Sequence, residues 1–208
     1  MLKISYGLLK GKTISVNACG NRLLLRPTSS ITKSVLFNVL THNKEVGFSS
    51  IEGLKVIDMC CGTGSVGIEF LSLGADSVIF LDSNYSSLAV VSDNINSLGL
   101  KDRSTTALQK LPCSINAEKI DVIFFDPPYK DKTILKDQLK NMFGTETNGH
   151  SDNKIESNES KSVLTNNGVL VVEMSRLCKE VEQFGLIKVL VKNVNNKTKL
   201  VFYKQGKI

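Results

Sequence analysis

Val56-Ile57-Asp58-Met59-Cys60-Cys61-Gly62-Thr63-Gly64-Ser65-Val66-Gly67 is the stretch that decides the fold. Its first part is short and apolar, which predicts a buried strand, and its second part is a glycine-rich loop that opens a helix. The glycine spacing also matches G-x-G-x-x-G, the dinucleotide fingerprint, which alone is a weak signal. A strand, a glycine loop and a helix in this order predict the start of a nucleoside-binding α/β domain.

Strands and helices continue to alternate on both sides of this stretch. The patterns predict helices at 33–40, 65–73, 86–98 and 132–142, strands at 55–58, 77–82, 104–108, 121–126 and 168–173, and a hairpin of 187–192 with 197–203. Such alternation predicts right-handed crossovers and a parallel sheet covered on both faces. We expect a basic N-terminal extension over 1–44, made of short strands and a helix, and a main domain over 45–208 with a polar insertion at 144–160.

Composition narrows the class of protein. The chain has 208 residues, of which 41% are hydrophobic and 22% charged, which fits one α/β domain of ordinary size. No apolar run approaches the roughly 20 residues of a membrane helix, and the first residues lack a secretory signal, so we expect a cytoplasmic protein with no membrane partner. The five cysteines form no C-x-x-C pair and there are only two histidines, so we expect reduced thiols and no metal site.

Charge is distributed unevenly along the chain. Residues 1–44 hold seven bases and residues 183–208 hold six, neither segment contains an acid, and all 20 acids lie between them. Basic termini around an acidic centre suit a nucleic-acid partner, because lysine and arginine gain free energy by displacing the counterions of phosphates. The alternative is a high-pI protein with solvated lysines, and charge alone does not separate the two.

Asp126-Pro127-Pro128-Tyr129 follows a strongly apolar strand and carries a second functional signal. An aromatic-type amine is a poor nucleophile because its lone pair is delocalised into the ring. If the Asp126 carboxylate and the Pro127 carbonyl accept its two N–H groups, the lone pair becomes exposed. Two prolines fix the direction of that carbonyl, and Tyr129 offers a stacking face for an extruded base. The motif therefore predicts N-methylation.

The carboxylates near the glycine loop indicate which cofactor binds. Asp58 precedes the loop, where its charge would oppose a pyrophosphate but would attract the cationic amino group of S-adenosylmethionine. Asp82, at the end of the next strand, suits the ribose hydroxyls of either cofactor. Cys60 and Cys61 are better explained as small residues in a tight loop than as a catalytic nucleophile.

Several stretches together resemble a known family, the bacterial small-subunit (16S) ribosomal RNA guanine-N2 methyltransferases. The matching stretches are Gly11-Lys12, Leu25-Arg26-Pro27-Thr28, Leu36-Phe37-Asn38, residues 58–67, Leu73-Gly74-Ala75, residues 126–129 and Thr198-Lys199-Leu200. The Arg-Pro-Thr and Leu-Phe-Asn combination is the specific part, whereas the other motifs occur in N-methyltransferases at large.

The resemblance implies a class I S-adenosylmethionine-dependent methyltransferase fold, with a mostly parallel seven-stranded sheet, a C-terminal antiparallel hairpin and helices on both faces. It implies methylation of the N2 amine of one guanine, in 16S ribosomal RNA or a small-subunit assembly particle, by a monomer. The expected catalytic residues are Asp126, Pro127, Pro128 and Tyr129. The expected cofactor residues are Asp58, Cys60, Gly62, Gly64, Asp82, Thr106 and Ala107, and the expected RNA contacts are Arg26, Thr28 and Lys33.

Two other functions are compatible with the sequence. An adenine-N6 methyltransferase acting on DNA or RNA would share the Asp-Pro-Pro-Tyr chemistry. A non-catalytic RNA-binding assembly factor could retain the fold, because Ser34 and Thr106 depart from the residue types usual in the family.

Overall fold

The structure, a computed structural model, describes residues 1–16, 27–117, 119–128, 132–144 and 163–206. The strands are β1 (Leu2–Lys3), β2 (Thr13–Ile14), β3 (Lys55–Met59), β4 (Ser77–Asp82), β5 (Ser104–Leu108), β6 (Ile120–Phe125), β7 (Leu164–Ser175), β8 (Leu186–Asn193) and β9 (Thr198–Gln205). The helices are α1 (Ser30–His42), α2 (Ser65–Ser72), α3 (Tyr85–Leu98) and α4 (Lys132–Phe143).

Within the described residues, seven strands form one sheet in the order β5-β4-β3-β6-β7-β9-β8. Neighbouring strands from β5 to β7 run parallel, with Val56 of β3 opposite Val122 of β6. Strand β9 is antiparallel to both β7 and β8, so a hairpin closes that side of the sheet. The predicted mostly parallel seven-stranded sheet with a C-terminal antiparallel hairpin is confirmed.

The inner parallel strands β3, β4 and β6 are mostly apolar because both faces of the sheet are covered there, whereas the edge strand β5 is polar and largely exposed. Alternate residues of β3 enter different cores: Val56 packs with α1, α2 and α3, and Ile57 packs with α4 on the opposite face. The strand order reverses at β3, since β4 and β5 lie on one side and β6 and β7 on the other. Open α/β sheets bind their ligands outside the carboxyl ends of the strands at such a reversal.

The predicted elements and the observed ones differ mainly at their ends. Helix α1 begins at Ser30 rather than at Lys33, because the Ser29 hydroxyl caps it by accepting the Thr32 N–H at 3.0 Å. Strand β7 is twice as long as predicted. Residues 17–26 of the predicted N-terminal extension and the insertion predicted at 144–160 lie outside the described residues, except for residue 144. None of the four helices in the described ranges is long and apolar enough to cross a membrane.

A glycine allows helix α2 to lie close to the sheet. A Cβ atom built on Gly67 would stand 2.3 Å from Cε1 of Phe80, a buried side chain of β4. Any larger residue would force α2 away from the strand, and the glycine loop that leads into the helix would move with it.

The N-terminal segment packs into the same core as the sheet. Ile4 and Ile14 belong to the cluster that also contains Leu36 and Leu40 of α1. The segment is held by the carboxylate of Glu69, a fully buried residue of α2. It accepts the N–H of Ser5 at 2.8 Å, the N–H of Tyr6 at 3.0 Å and the Lys33 ammonium at 2.7 Å.

The prediction that Lys33 contacts RNA is therefore wrong. Its side chain is 1% exposed and forms a buried ion pair with Glu69, so its ammonium group is not available to a phosphate. The sequence predicts an exposed Lys33 because lysines are seldom fully buried unless they are paired, and its partner lies on another helix.

Replacing Lys33 by methionine should strongly destabilise the protein, because the Glu69 charge would remain buried without its counter-ion. We expect the free energy of unfolding to fall by about 3–5 kcal/mol in urea titrations. Lys44→Met, at an exposed position just after α1, should change it by less than about 0.5 kcal/mol. Equal effects of the two substitutions would contradict the assigned role of the ion pair.

Candidate active site

The described residues form two cavities, among others, that open at the carboxyl edge of the parallel strands. The smaller has a volume of about 140 Å³ and lies against the ends of β3, β4 and β5, with Cys60, Asp82 and Gln109 in its wall. The larger has a volume of about 450 Å³ and lies against the ends of β6 and β7, with Asp126 and Glu173 in its wall. Pro128 belongs to the wall of both cavities.

The glycine loop between β3 and α2 turns through left-handed backbone conformations. Cys60, Gly62 and Gly64 have φ angles of 61°, 53° and 71°. A Cβ atom on Gly62 would meet nothing within 4 Å, so the loop presents bare backbone to open space there. On its inner side the loop is fixed to β4, because the Cys61 N–H donates to the Leu81 carbonyl at 3.0 Å.

Asp82 stands at the end of β4 and holds the loop in place. Its Oδ2 accepts the Gly62 N–H at 2.9 Å, and its Oδ1 accepts the Asn84 N–H at 2.9 Å. Each oxygen keeps a further lone pair, so the carboxylate can accept additional hydrogen bonds from a ligand in the smaller cavity.

Asp58 is a buried carboxyl group beneath the loop, only 2% exposed. Burial raises the pKa of Asp58 to about 8. The Gly67 N–H, which donates to Oδ2 at 2.8 Å, opposes this rise. The nearby charges of Asp126 and Asp82 add to the rise. Three carboxyl groups thus converge at one edge of the sheet. This arrangement favours a cationic ligand and disfavours a pyrophosphate.

The two cysteines of the loop are not activated nucleophiles. Burial raises the pKa of both the Cys60 and the Cys61 thiols, and the neighbouring aspartates raise them further. A reactive cysteine requires the opposite shift, because the thiolate is the attacking species. Cys60 nevertheless lines the smaller cavity, where its neutral thiol can pack against a ligand.

Asp126, Pro127 and Pro128 follow β6 at the point where the two cavities meet. The Asp126 N–H donates to the Met59 carbonyl at 3.3 Å, which ties the start of this turn to the end of β3. Pro127 is buried and Pro128 is exposed. Tyr129 and Arg26, both predicted site residues, lie outside the described residues, and their roles stay predictions.

The wall of the larger cavity comes from segments that are distant in sequence. Thr28 lies just before α1 and Thr32 in its first turn, and the predicted RNA contact of Thr28 stays a prediction. Glu173 and Ser175 come from the end of β7, and Lys197 comes from the turn between β8 and β9. Sequence reasoning missed Glu173, although it is an acid near the end of an apolar strand, the same signal that identified Asp82 and Asp126.

Thr106 and Ala107 do not belong to the wall of the smaller cavity, and their predicted cofactor contacts stay predictions. Thr106 is opposite Phe80 and Ala107 is opposite Leu81, both within paired strands. Strand β5 runs on to Leu108, and the cavity wall is formed by the next three residues, Gln109, Lys110 and Leu111.

Residues 2–204 of the chain match the model of a protein family whose description is "conserved hypothetical protein 95". The chain belongs to this family. The resemblance to the small-subunit ribosomal RNA methyltransferases is thereby confirmed at the level of the family, because two relatives of the chain bear the name ribosomal RNA small subunit methyltransferase D.

Proteins similar to this chain carry the names of methyltransferases. It is 26% identical over 179 residues to the release factor glutamine methyltransferase of Borreliella burgdorferi, covering 83% of this chain and 60% of that protein. It is 30% identical over 134 residues to the ribosomal RNA small subunit methyltransferase D of Haemophilus influenzae, covering 62% of this chain and 64% of that protein. The chain thus spans less than two thirds of the length of either relative.

Solved structures establish the fold of this family member. The Escherichia coli protein yhhF superposes with a TM-score of 0.73 at 17% identity, covering 99% of this chain and 98% of that one. The ribosomal protein L11 methylase of Lactobacillus delbrueckii subsp. bulgaricus superposes with a TM-score of 0.59 at 16% identity, covering 84% and 78%. The predicted class I methyltransferase fold is confirmed.

Asp58→Asn should change how stability depends on pH. The folded protein keeps the Asp58 proton up to about pH 8, whereas the unfolded chain loses it near 3.8, so this group lowers the free energy of unfolding as pH rises between those values. Relative to the variant, wild type should lose about 1.4 kcal/mol per pH unit between pH 5 and 7, measured by urea unfolding. Parallel curves for the two proteins would show that Asp58 is already ionised.

Proposed function

We propose that this protein transfers a methyl group from S-adenosylmethionine to the exocyclic N2 amine of one guanine in 16S ribosomal RNA. The observation that carries the proposal is the position of Pro128, which belongs to the wall of both cavities. A donor in the smaller cavity and an acceptor base in the larger one would meet at the Asp126-Pro127-Pro128 turn.

Asp82 in the wall of the smaller cavity and the glycine loop beside it carry groups that would suit S-adenosylmethionine. Asp82 would accept the ribose hydroxyls, and the bare backbone at Gly62 leaves room for close approach. A cationic amino group beside Asp58 would favour loss of the Asp58 proton and would then pair with the carboxylate. The Thr63 hydroxyl, buried in the same loop, has no hydrogen-bond partner among the described residues and could be satisfied by a bound ligand. When bound, the cofactor supplies a methyl group that its sulfonium already activates.

Asp126 and Pro127 would then prepare the amine. The carboxylate of Asp126 and the carbonyl of Pro127 accept its two N–H groups, which draws the nitrogen lone pair out of conjugation with the ring. After methyl transfer the nitrogen would carry one proton too many, and the Asp126 carboxylate, hydrogen-bonded to it, would accept that proton. The remaining catalytic gain comes from holding donor and acceptor in line.

RNA would approach the larger cavity from its basic rim. Lys197 is exposed and belongs to the cavity wall, and the acid-free segments at both ends of the chain add positive charge. Phosphate contacts of this kind position a substrate but do not choose the base. Thr28, in the same wall, and Arg26, two residues before it, remain proposed contacts of this type.

A glutamine side chain is the second candidate substrate. The Borreliella relative and a Francisella tularensis relative, 32% identical over 129 residues, are both named glutamine methyltransferases. A side-chain amide shares the planar –NH₂ group of guanine. However, the exposed Lys197 in the wall of the larger cavity favours a polyanionic nucleic acid over a protein segment.

One experiment separates these functions. The protein is incubated with methyl-labelled S-adenosylmethionine and either undermethylated small ribosomal subunits or release factor, and the products are digested and analysed by mass spectrometry. We expect N2-methylguanosine at a single position. Methyl-glutamine, N6-methyladenosine or no transfer at all would refute the proposal.

Asp126→Ala should nearly abolish methyl transfer, because the removed carboxylate acts on the base in the transition state. We expect the single-turnover rate to fall by about 10²–10⁴-fold, while calorimetry shows a nearly unchanged dissociation constant for S-adenosylmethionine. Asp93→Ala, at an exposed position on α3, serves as the control and should retain the wild-type rate. Near-normal transfer by the Asp126 variant would remove this residue from the mechanism.

Lys197→Gln should weaken RNA binding by removing one phosphate contact. The log–log dependence of RNA affinity on salt should become shallower by about 0.7–0.9, and cofactor binding should be unaffected. Lys101→Gln is the matched control, because Lys101 is exposed but precedes β5 at the opposite edge of the sheet. If both variants keep the wild-type salt slope, Lys197 makes no phosphate contact.

A further inference from the structure

Glu173 has no role in the chemistry described so far, yet it lies in the wall of the substrate cavity. It is only 7% exposed. In the parallel register of β6 and β7, Phe125 is opposite Val172, so the next residues along these strands are Asp126 and Glu173. Two acidic side chains therefore leave adjacent strands at the edge where the base would bind.

The side chain of Glu173 belongs to the face of β7 that carries α1. Side chains alternate between the faces of a strand, and Val171 packs in the α1 core whereas Val172 packs in the opposite one. Glu173 and Ser175 therefore share the face of Val171, which is the side from which Thr28 and Thr32 close the cavity.

Burying a carboxylate is costly unless hydrogen-bond donors offset the desolvation. A carboxylate has about four lone-pair sites, so Glu173 can accept a bond from a ligand in addition to any contact that it makes within the protein. The ligand that suits this wall is one that brings several donors on a single edge.

Guanine has that edge and adenine does not. The N2 amine of guanine lies beside N1–H, which gives three adjacent N–H bonds. In adenine the corresponding amine lies beside an N1 lone pair, and in a glutamine amide it lies beside a carbonyl oxygen. A second carboxylate would attract the guanine edge and repel the other two.

We propose that Glu173 selects guanine by accepting its N1–H while Asp126 and Pro127 hold the N2 amine. The inference rests on the proposed function and assigns the choice of base to one side chain. Glu173 is thus a specificity-determining residue.

The test uses 2-aminopurine in place of the target guanine in the RNA. This base keeps the N2 amine but has a lone pair at N1 in place of N1–H. Wild type should methylate it with a kcat/KM at least about tenfold below that for guanine, because the Glu173 carboxylate would face an acceptor. In Glu173→Gln the amide can donate to N1, so the preference for guanine over 2-aminopurine should narrow by at least about tenfold.

The design separates failure of the inference from failure of the proposed function. If wild type makes no N2-methylguanosine, the proposed function fails. If it does so but uses 2-aminopurine equally well, the assignment of Glu173 fails, even when the variant is unstable. The assignment also fails if a folded Glu173→Gln, with unchanged affinity for S-adenosylmethionine, keeps the wild-type preference. Glu45→Gln, the same chemical change at an exposed position after α1, should leave the preference unaltered.

Discussion

The buried carboxylate of Glu69 is the interaction on which the rest of the arrangement depends. It joins three parts of the chain, because it accepts two backbone N–H groups from the N-terminal segment and the ammonium of Lys33 from α1 while belonging to α2 itself. Charge-assisted hydrogen bonds of this kind are strong and directional. They fix the start of α1 over the carboxyl edge of the sheet, and without that position the substrate cavity would lose one wall.

Acidic and basic side chains occupy different parts of the site, and this separation of charge matches the proposed reaction. Three aspartates converge around the glycine loop, where the proposed cofactor is a cation. The exposed rim, in contrast, carries lysine, where the proposed substrate is a polyanion. The acidic interior would repel a phosphate that strayed inward, so the RNA backbone is kept at the rim while a single neutral base enters.

Sequence reasoning succeeded where function coincides with the end of an apolar strand. Asp82 and Asp126 were found because each follows an obvious buried run, and parallel strands bring such ends together. It failed where the outcome depends on a partner from another element. The burial of Lys33 requires Glu69, which lies 36 residues away. Likewise, the placement of Glu173 beside Asp126 depends on the order of the strands in the sheet, which no local sequence pattern predicts.

The two cavities share a wall, and the position of that wall limits the shape of any single molecule that occupies both of them. Because Pro128 separates the 140 Å³ cavity from the 450 Å³ one, an adenosine joined to a guanine by a short linker would have to pass this residue. Binding of one half would then present the other at high effective concentration, so avidity would exceed that of either half alone. In the design of an inhibitor for this protein, the linker between the two halves is therefore the first part to optimise.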